Sequence, residues 1–298
     1  MVDYLLGVGI LAAVYAINAL SLNLQVGVTG LLNFGQVAFV GIGAYSVAIL
    51  DSHGVPWPIG FLVGAAVAGS AGALVGRLGR TLASDYWAIA TLALAELVRL
   101  FALNQQGFTG GAQGLSAVVG LWTGLRGTNR DAATFVTVMV LLAIAYLVAR
   151  WVRNSQYGRI LVLIRENPDL AASLRHNVVS AKVRVMALSA VMASVAGGFY
   201  AMYISFIGPS QLLPFATFIV FTMIVVGGLG NTTGAVVGAV LITVLYDGTR
   251  FLPDLITMSP DEAAGVRILT IGVILLGFLL LRTEGLVPEK VRAADARR

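Results

Sequence analysis

Long apolar stretches, separated by short polar links, run along most of the 298-residue chain. A helix that spans a bilayer needs about 20 mostly apolar residues. Nine stretches fit this description: 4–26, 30–50, 57–76, 86–104, 132–150, 183–204, 215–229, 234–252 and 264–282. The seventh is short and is also compatible with a re-entrant segment. The pattern therefore predicts an all-α, polytopic integral membrane protein with about nine transmembrane helices, eight and ten being the alternatives.

Composition supports this fold class. Hydrophobic residues make up 58% of the chain and charged residues 11%, whereas about a quarter of a soluble domain is charged. So few charges could not cover the apolar surface in water, so we interpret 1–298 as a single transmembrane domain. The first basic residue is Arg77, so we expect the first helix to be retained rather than cleaved as a signal peptide. The chain has no Cys, which excludes disulfides and thiolate metal sites.

The basic residues predict an orientation. Fourteen of the nineteen Lys and Arg residues lie in three regions: 77–80, 150–184 and 282–298. Cytoplasmic loops of membrane proteins are enriched in Lys and Arg. We therefore expect the N-terminus outside, the C-terminus inside with a basic tail at 283–298, and the loop 105–131 outside. The net charge of +5 then reflects membrane orientation, and we expect no nucleic-acid partner.

The basic link between the fifth and sixth stretches predicts two helices within residues 153–178. Ile160, Leu163 and Ile164 recur at helical spacing, which gives one apolar face. Asn167 and Pro168 then form an N-cap and first-position signal for a second helix,. From the residues alone two roles stay open: a helix pair resting on anionic lipid, or a docking surface for a cytoplasmic protein.

Polar side chains in and between the first two stretches indicate a candidate substrate path. For Asn18 and Asn23 we expect hydrogen bonds between helices. Asn33 and Gln36 share a helical face in a stretch weakened by four glycines between residues 30 and 43,. Irregular backbone at membrane depth is tolerated only where protein buries it or where it lines a cavity. We therefore predict a path beside 29–46; its candidate residues are Thr29, Asn33, Gln36 and Ser46, with the face around Thr217 and Thr222 as the alternative.

Other candidate residues have simpler interpretations. Glu96 lies inside a predicted helix, where an acid is costly, but Arg99 at i+3 can pair with it. We favour this intramembrane ion pair over a substrate or proton site. Neither His53 nor His176 belongs to a metal-binding motif, so no metal site is expected. A phosphate-binding loop ends in Gly-Lys-Ser or Gly-Lys-Thr, and neither lysine has that context. We therefore expect no ATPase site and no cofactor in this chain.

Several segments, in the same order, resemble one family of transport proteins. They are the Gly-rich segment from Gly27 through Phe39 to Tyr45; Asp85 to Leu92 with Glu96 and Arg99; Thr109 to Leu115; Ser155 to Pro168; and Gly227 to Asn231. Together they resemble the LivH/LivM family of branched-chain amino acid ABC permeases, and the segment at 85–92 resembles the LivM type. One departure is Leu174-Arg175, where the family usually has Leu-Gly.

The resemblance implies a function and a set of partners. The chain would be the membrane-spanning permease subunit of an ATP-driven importer for branched-chain or related small amino acids. Its partners would be a LivH-like permease, two cytoplasmic ATP-binding subunits that hold ATP and Mg, and an extracytoplasmic binding protein. The location would be the cytoplasmic membrane of a bacterium or archaeon. The link at 153–178 would be the coupling loop, with ATPase-coupling residues Gly158, Arg159, Arg165, Glu166, Asn167 and Pro168. The alternatives are a urea or short-amide permease, or an ion-coupled carrier or channel.

Overall fold

A computed structural model describes residues 2–79, 84–116, 118, 120–122, 124–248, 260–282 and 284–289. The α-helices in these ranges are α1 (Val2–Asn23), α2 (Gln36–Ser52), α3 (Trp57–Leu78), α4 (Ser84–Asn104), α5 (Gln106–Thr109), α6 (Thr128–Asn154), α7 (Gln156–Glu166), α8 (Pro168–Ser173), α9 (Val178–Ile204), α10 (Phe215–Gly227), α11 (Thr232–Gly248) and α12 (Pro260–Leu281). A π-helix, Leu24–Val28, continues α1. Two short 3-10 turns are Gly111–Gln113 and Pro209–Leu212.

Every predicted apolar stretch corresponds to one of these helices, so the all-α polytopic fold class is confirmed. Within the described residues, five helices are long and apolar enough to cross a bilayer: α1 with its π-helical end, α3, α4, α6 and α9. Four apolar helices are shorter: α2, α10, α11 and the central part of α12. The exact number of crossings therefore stays a prediction. The predicted tail at 283–298 lies outside the described residues except for 284–289.

Small residues bring α3 and α2 into close contact with α9. The buried residues of α3 are Gly60, Gly64, Ala68, Gly72 and Gly76, which recur every four residues and form one stripe. A Cβ atom on Gly72 would lie 2.7 Å from the backbone oxygen of Met186 in α9. The Gly60/Gly64 and Gly72/Gly76 pairs thus serve helix packing, because close approach of membrane helices needs small side chains at the contact,.

The second predicted helix begins later than its apolar pattern suggested. Residues 30–35 are not helical, and α2 starts at Gln36. Gly30 has a left-handed φ of +74° and donates its N–H to the carbonyl of Val26 at 3.1 Å, an arrangement that ends helices. The side chain of Asn33 then accepts the N–H of Gly35 at 2.9 Å. This local bond competes with helix formation and explains the six-residue difference.

Contacts between links divide the molecule into two sides. On one side, strands β1 (Leu115–Ser116) and β2 (Phe206–Ile207) pair antiparallel, which joins the loop after α5 to the end of α9. On the other side, α7 lies beside the π-helix and contacts the segment 284–289. This grouping agrees with the alternation expected from the basic residues. Asp247 is buried within the last turn of α11.

Candidate functional site

Five buried polar residues form a single hydrogen-bonded cluster where α1, the π-helix and the start of α2 meet. We call Asn18, Ser21, Gln25, Asn33 and Gln36 the polar cluster; all five are buried. The helix α1 supplies Asn18 and Ser21, the π-helix supplies Gln25, and the irregular segment before α2 supplies Asn33. A buried amide without partners costs about 1–3 kcal/mol, so these side chains favour positions where they satisfy one another.

Gln36 is the centre of the polar cluster because both ends of its amide are used. Its Oε1 accepts from Gln25 Nε2 at 3.1 Å and from Asn33 Nδ2 at 3.2 Å. Its Nε2 donates to Asn18 Oδ1 at 2.9 Å and to Ser21 Oγ at 2.8 Å. Asn33 also donates to Gln25 Oε1 at 2.7 Å. The predicted pair Asn33 and Gln36 thus lies together, buried and mutually bonded in this conformation.

Two threonines from distant helices hold the irregular segment in place. Thr91 of α4 accepts the N–H of Phe34 at 3.1 Å, and Thr217 of α10 accepts the N–H of Val37 at 3.1 Å. The first amides of a helix have no partner within the helix, and water is absent at membrane depth. The side chain of Thr217 therefore satisfies one of the free N–H groups at the start of α2.

Two cavities flank α2. A small one of about 60 Å³ lies between α1, α2, α9 and α10, and Asn18, Val37 and Thr217 contribute to its lining. A larger one of about 480 Å³ lies between α2, α3, α4 and α5, and Ser46 and Tyr45 contribute to its mostly apolar lining. Small-molecule sites in proteins usually occupy about 300–1,000 Å³. Only the larger of these two cavities falls in that range.

The other predicted residues of the path and the ion pair lie near the polar cluster or on α4. Thr29 is buried and donates to the carbonyl of Leu24 at 2.9 Å, so it caps the π-helix. Ser46 is half-buried at the larger cavity. Arg99 contacts both carboxylate oxygens of Glu96, at 2.9 and 2.5 Å, which places the two in a bidentate pair within one helix. The predicted role of Asn23 in joining helices is confirmed: its side chain bonds to Gly230 and Asn231.

The helices α7 and α8 both begin with side-chain caps, of which the sequence predicted the one at Asn167. Ser155 caps α7 by accepting the N–H of Gly158 at 3.1 Å, and Asn167 caps α8 by accepting the N–H of Leu170 at 2.9 Å. Tyr157 donates its hydroxyl to the carbonyl of Ala181 at 2.8 Å. Burial raises the pKa of Tyr157 to about 12, so this hydroxyl stays protonated at neutral pH and ties α7 to α9.

The outer surface of this helix pair combines apolar and charged residues. Leu170 and Leu174 are 46% and 57% exposed. Arg159 is also exposed, and the side chain of Glu166 is 67% exposed. Ala171 faces inward and is fully buried. The apolar side chains of Leu170 and Leu174 therefore face away from the rest of the described chain.

Arg165 differs from the other charged candidate coupling residues, Arg159 and Glu166, because its side chain turns inward. Its side chain is 24% exposed. The guanidinium donates through NH1 to the backbone oxygen of Gly27 and lies 3.1 Å from Glu289 Oε2. The other carboxylate oxygen of Glu289 lies 3.3 Å from Arg153 NH2, at the end of α6. We call Arg153, Arg165 and Glu289 the inner charge cluster.

The segment 284–289 is bound to the turn between α10 and α11. The N–H groups of Leu286 and Val287 donate to the carbonyls of Val226 and Gly227, at 2.8 and 3.0 Å. Asn231 donates its side-chain amide to the carbonyl of Pro288 at 3.0 Å. These bonds fix Glu289 beside Gly230, where a Cβ atom would lie 2.8 Å from the carboxylate carbon.

Sequence reasoning missed several residues that the fold brings together. Ser21, Thr91 and Glu289 were not candidates, although each contributes to the polar cluster, its surroundings or the inner charge cluster. Ser21 carried a detectable signal, because it lies one helical turn from Asn18 on the same face. The sequence carried no detectable signal for Thr91 or Glu289, because their hydrogen-bond and ion-pair partners lie far away along the chain.

Comparison with known proteins agrees with these features. The family of branched-chain amino acid transport system permease components matches residues 4–281, which includes all nine apolar helices, the polar cluster and α7–α8. The chain belongs to this family of membrane transport permeases.

Curated relatives of both subunit types are similar over most of their lengths. The LivM high-affinity branched-chain amino acid permease of Escherichia coli K12 is 28% identical, covering 93% of this chain and 68% of that protein. A probable LivM permease of Methanocaldococcus jannaschii is 27% identical, and the match covers 93% of this chain and 91% of that protein. A probable LivH permease of the same archaeon is 26% identical, and the match covers 93% of this chain and 88% of that protein. No solved structure matches the chain.

Proposed function

We propose that this chain is the membrane-spanning permease subunit of an ATP-driven importer for branched-chain or related small amino acids. The observation that carries the proposal is the family match over 4–281. A LivH-like permease completes the membrane part, which accords with the similarity to both LivM and LivH relatives. Two cytoplasmic ATPases hold ATP and Mg, and a binding protein delivers substrate on the opposite side. The chain itself does no chemistry.

The exposed surface of α7 and α8 is the proposed contact with an ATPase. Leu170 and Leu174 supply an apolar centre, and Arg159 and Glu166 supply charges at its edge. Apolar anchors within a polar rim are typical of specific protein interfaces. Replacing both leucines by Asp should abolish co-purification of the ATPase. The matched control is Leu125→Asp, at an exposed leucine in the loop assigned to the opposite side.

The larger cavity and the polar cluster mark the proposed substrate path along 29–46. The apolar lining around Ser46 suits a branched aliphatic side chain better than urea. The amides of Asn33 and Gln36 suit the amino and carboxylate groups of the amino acid. Closure of the ATPases on ATP would move α7–α8 and expose the path to one side or the other. Uptake per assembled complex should fall in Asn33→Leu and in Gln36→Leu. Wild-type rates in both variants would move the path to the face around Thr217 and Thr222.

The orientation belongs to the same proposal. The N-terminus lies outside a bacterial or archaeal cytoplasmic membrane, and the C-terminus lies inside. The linked segments at 105–116 and 205–208 then face the binding protein, while α7, α8 and 284–289 face the ATPases.

Reconstitution tests the proposed function. All subunits are placed in vesicles, ATP is supplied on the side of α7–α8, and radiolabelled leucine with its binding protein on the other. Uptake should require ATP and the binding protein and should persist when ion gradients are dissipated. Uptake of urea in place of leucine would assign the related amide class. Uptake that depends on an ion gradient without any ATPase would make the chain part of a carrier and overturn the proposal.

A further inference from the structure

The contacts of Arg165 connect α7 directly to the interior of the permease. Arg159 on the same helix is exposed, whereas Arg165 contacts the backbone of Gly27 and the carboxylate of Glu289. Its aliphatic stem also lies against Gly30, where a Cβ atom would be 2.9 Å from Arg165 Cγ. A side chain committed to these neighbours is turned away from a cytoplasmic partner.

The backbone that Arg165 contacts leads to the polar cluster in a few steps. Gly27 lies within the π-helix, two residues after Gln25, and Gln25 shares hydrogen bonds with Asn33 and Gln36. π-Helical segments are strained and frequent at functional sites. Gly30 ends this helix with a left-handed φ of +74°. A displacement of Arg165 would therefore act on the backbone that positions the start of α2.

Glu289 fixes the other side of this connection. Its carboxylate lies between Arg153 of α6 and Arg165 of α7, and its segment is hydrogen-bonded to the α10–α11 turn. If Gln replaced Glu289, the two positively charged guanidinium groups of Arg153 and Arg165 would face an uncharged amide. The contacts of Glu289 therefore fix the position of Arg165 relative to α6 and α10. An exposed salt bridge between flexible side chains would not do so.

We propose that Arg165 and Glu289 are positioning residues that transmit the movement of α7 to the π-helix Leu24–Val28 and from there to the start of α2. This inference rests on the proposed transport function and deepens it. Arg159, Glu166, Leu170 and Leu174 hold the ATPase, and the Arg165–Glu289 pair makes the bound ATPase effective. The two steps of coupling thus use different sides of the α7–α8 pair.

The test compares ATP hydrolysis with uptake in the complete reconstituted complex. In Arg165→Gln and in Glu289→Gln, the ATPase should still co-purify and hydrolyse ATP within twofold of wild type. The leucine imported per ATP hydrolysed should fall at least tenfold. The matched control is Arg150→Gln, an exposed arginine one turn from Arg153 on α6, which should keep the wild-type ratio. Arg165→Lys keeps the charge but has a single donor group, so its ratio should lie between those of wild type and Arg165→Gln.

Where the permease subunits of the Gln variants assemble, either of two outcomes would overturn the proposal. A wild-type ratio in both Gln variants would show that the pair transmits nothing, and loss of the ATPase from Arg165→Gln would place Arg165 in the docking surface. If neither Gln variant assembles, Arg165→Lys decides: its ratio should be at least threefold below wild type, and a wild-type ratio overturns the inference.

A readout that needs no transport separates this inference from the proposed function. The shifts in thermal unfolding midpoint caused by Arg165→Gln and Glu289→Gln should not add in the double variant, because residues in contact couple. If the midpoint shifts are non-additive but the wild-type complex shows no ATP-driven uptake, the proposed function is rejected and the contact between Arg165 and Glu289 still stands. If the midpoint shifts are additive and the wild-type complex shows normal uptake, the inference about Arg165 and Glu289 is rejected and the proposed function stands.

Discussion

At the scale of single residues, Gln36 illustrates how a membrane interior accommodates an amide. Its four hydrogen bonds join α1, the π-helix and the segment before α2. Interhelical hydrogen bonds in membranes contribute only about 0.6 kcal/mol each on average. Leaving their buried partners without bonds costs more than that, about 1–3 kcal/mol. The polar cluster therefore depends on all its members at once.

Replacing Gln36 by Leu should lower the free energy of unfolding by about 1–3 kcal/mol, because Asn18 and Gln25 lose buried partners. Thermal unfolding of the purified complex measures this. Thr222→Val is the control: Thr222 is equally buried, but its hydroxyl bonds only to Phe218 in its own helix. That variant should lie within about 0.5 kcal/mol of wild type. Equal effects of the two changes would contradict a shared cluster.

Arg175 occupies a backbone conformation that favours glycine. Its φ is +62°, and the N–H groups of Arg175 and His176 bond to the carbonyls of Ala172 and Ala171 at the end of α8. A left-handed residue with a Cβ costs about 1–2 kcal/mol, partly offset by the greater freedom of Gly in the unfolded chain. Arg175→Gly should therefore stabilise the protein by about 0.5–1 kcal/mol. Arg175→Val should destabilise it, since β-branched residues avoid this region. A ranking with Val above Gly in unfolding temperature would refute this account.

Local signals in the sequence identified part of the site. Asn33 and Gln36 were predicted as a pair, and the structure brings them together, although Asn33 precedes α2 and shares no helical face with Gln36. Asn167-Pro168 correctly marked the start of α8. The Leu174-Arg175 step departed from the family pattern, but nothing local in the sequence predicted its left-handed conformation. No local pattern pointed to Thr217 as a partner of Val37, 180 residues away, or to Glu289 as a partner of Arg153, 136 residues away. Such contacts arise only once the helices pack.

At the scale of elements, α2 and α9 approach so closely that their backbones nearly touch. A Cβ atom on Gly43 would collide with the backbone of Ser194, and one on Gly197 with the backbone of Val40. Because backbone cannot rotate away as a side chain can, a larger residue would force the helices apart. The glycines that weaken α2 in isolation thus allow the contact that stabilises it.

Gly43→Ala should destabilise the protein by about 1–3 kcal/mol through this overpacking. Gly277→Ala in α12 is the matched control, since no atom of the described residues lies within 4 Å of its Cβ position, and alanine favours helix there by about 1 kcal/mol. Comparison of unfolding midpoints checks the pair. If Gly43→Ala unfolds at the wild-type temperature, the α2–α9 contact is looser than the structure indicates.

At the scale of the whole molecule, the two sides are defined by contacts between links that are distant in sequence. Strand pairing joins the loops near Ser116 and Phe206, and the inner charge cluster joins α6, α7 and the segment 284–289. The basic residues predicted the same grouping, although Arg80 and the residues after Glu289 lie outside the described part. Their distribution alone could not reveal that the segment 284–289 binds the α10–α11 turn.

Single cysteines can test the orientation without background, because the chain has no Cys. In intact cells, a membrane-impermeant maleimide should label Ser116→Cys but not Ser173→Cys, and permeabilisation should expose the second. Both positions are exposed in the structure. Labelling of Ser173→Cys alone in intact cells would invert the orientation and place the ATPases on the other side.

The binding of 284–289 to the α10–α11 turn also sets an order of events during synthesis. Glu289 leaves the ribosome after all the helices from α1 to α12, and its contact with Arg153 closes a loop of 136 residues. Until that moment, no carboxylate lies between the two arginines at the ends of α6 and α7. Contacts that close long loops also form slowly. We therefore expect α7 to reach its final position only after Glu289 has been synthesised, so that a newly made permease becomes competent to act with its ATPase only after that step.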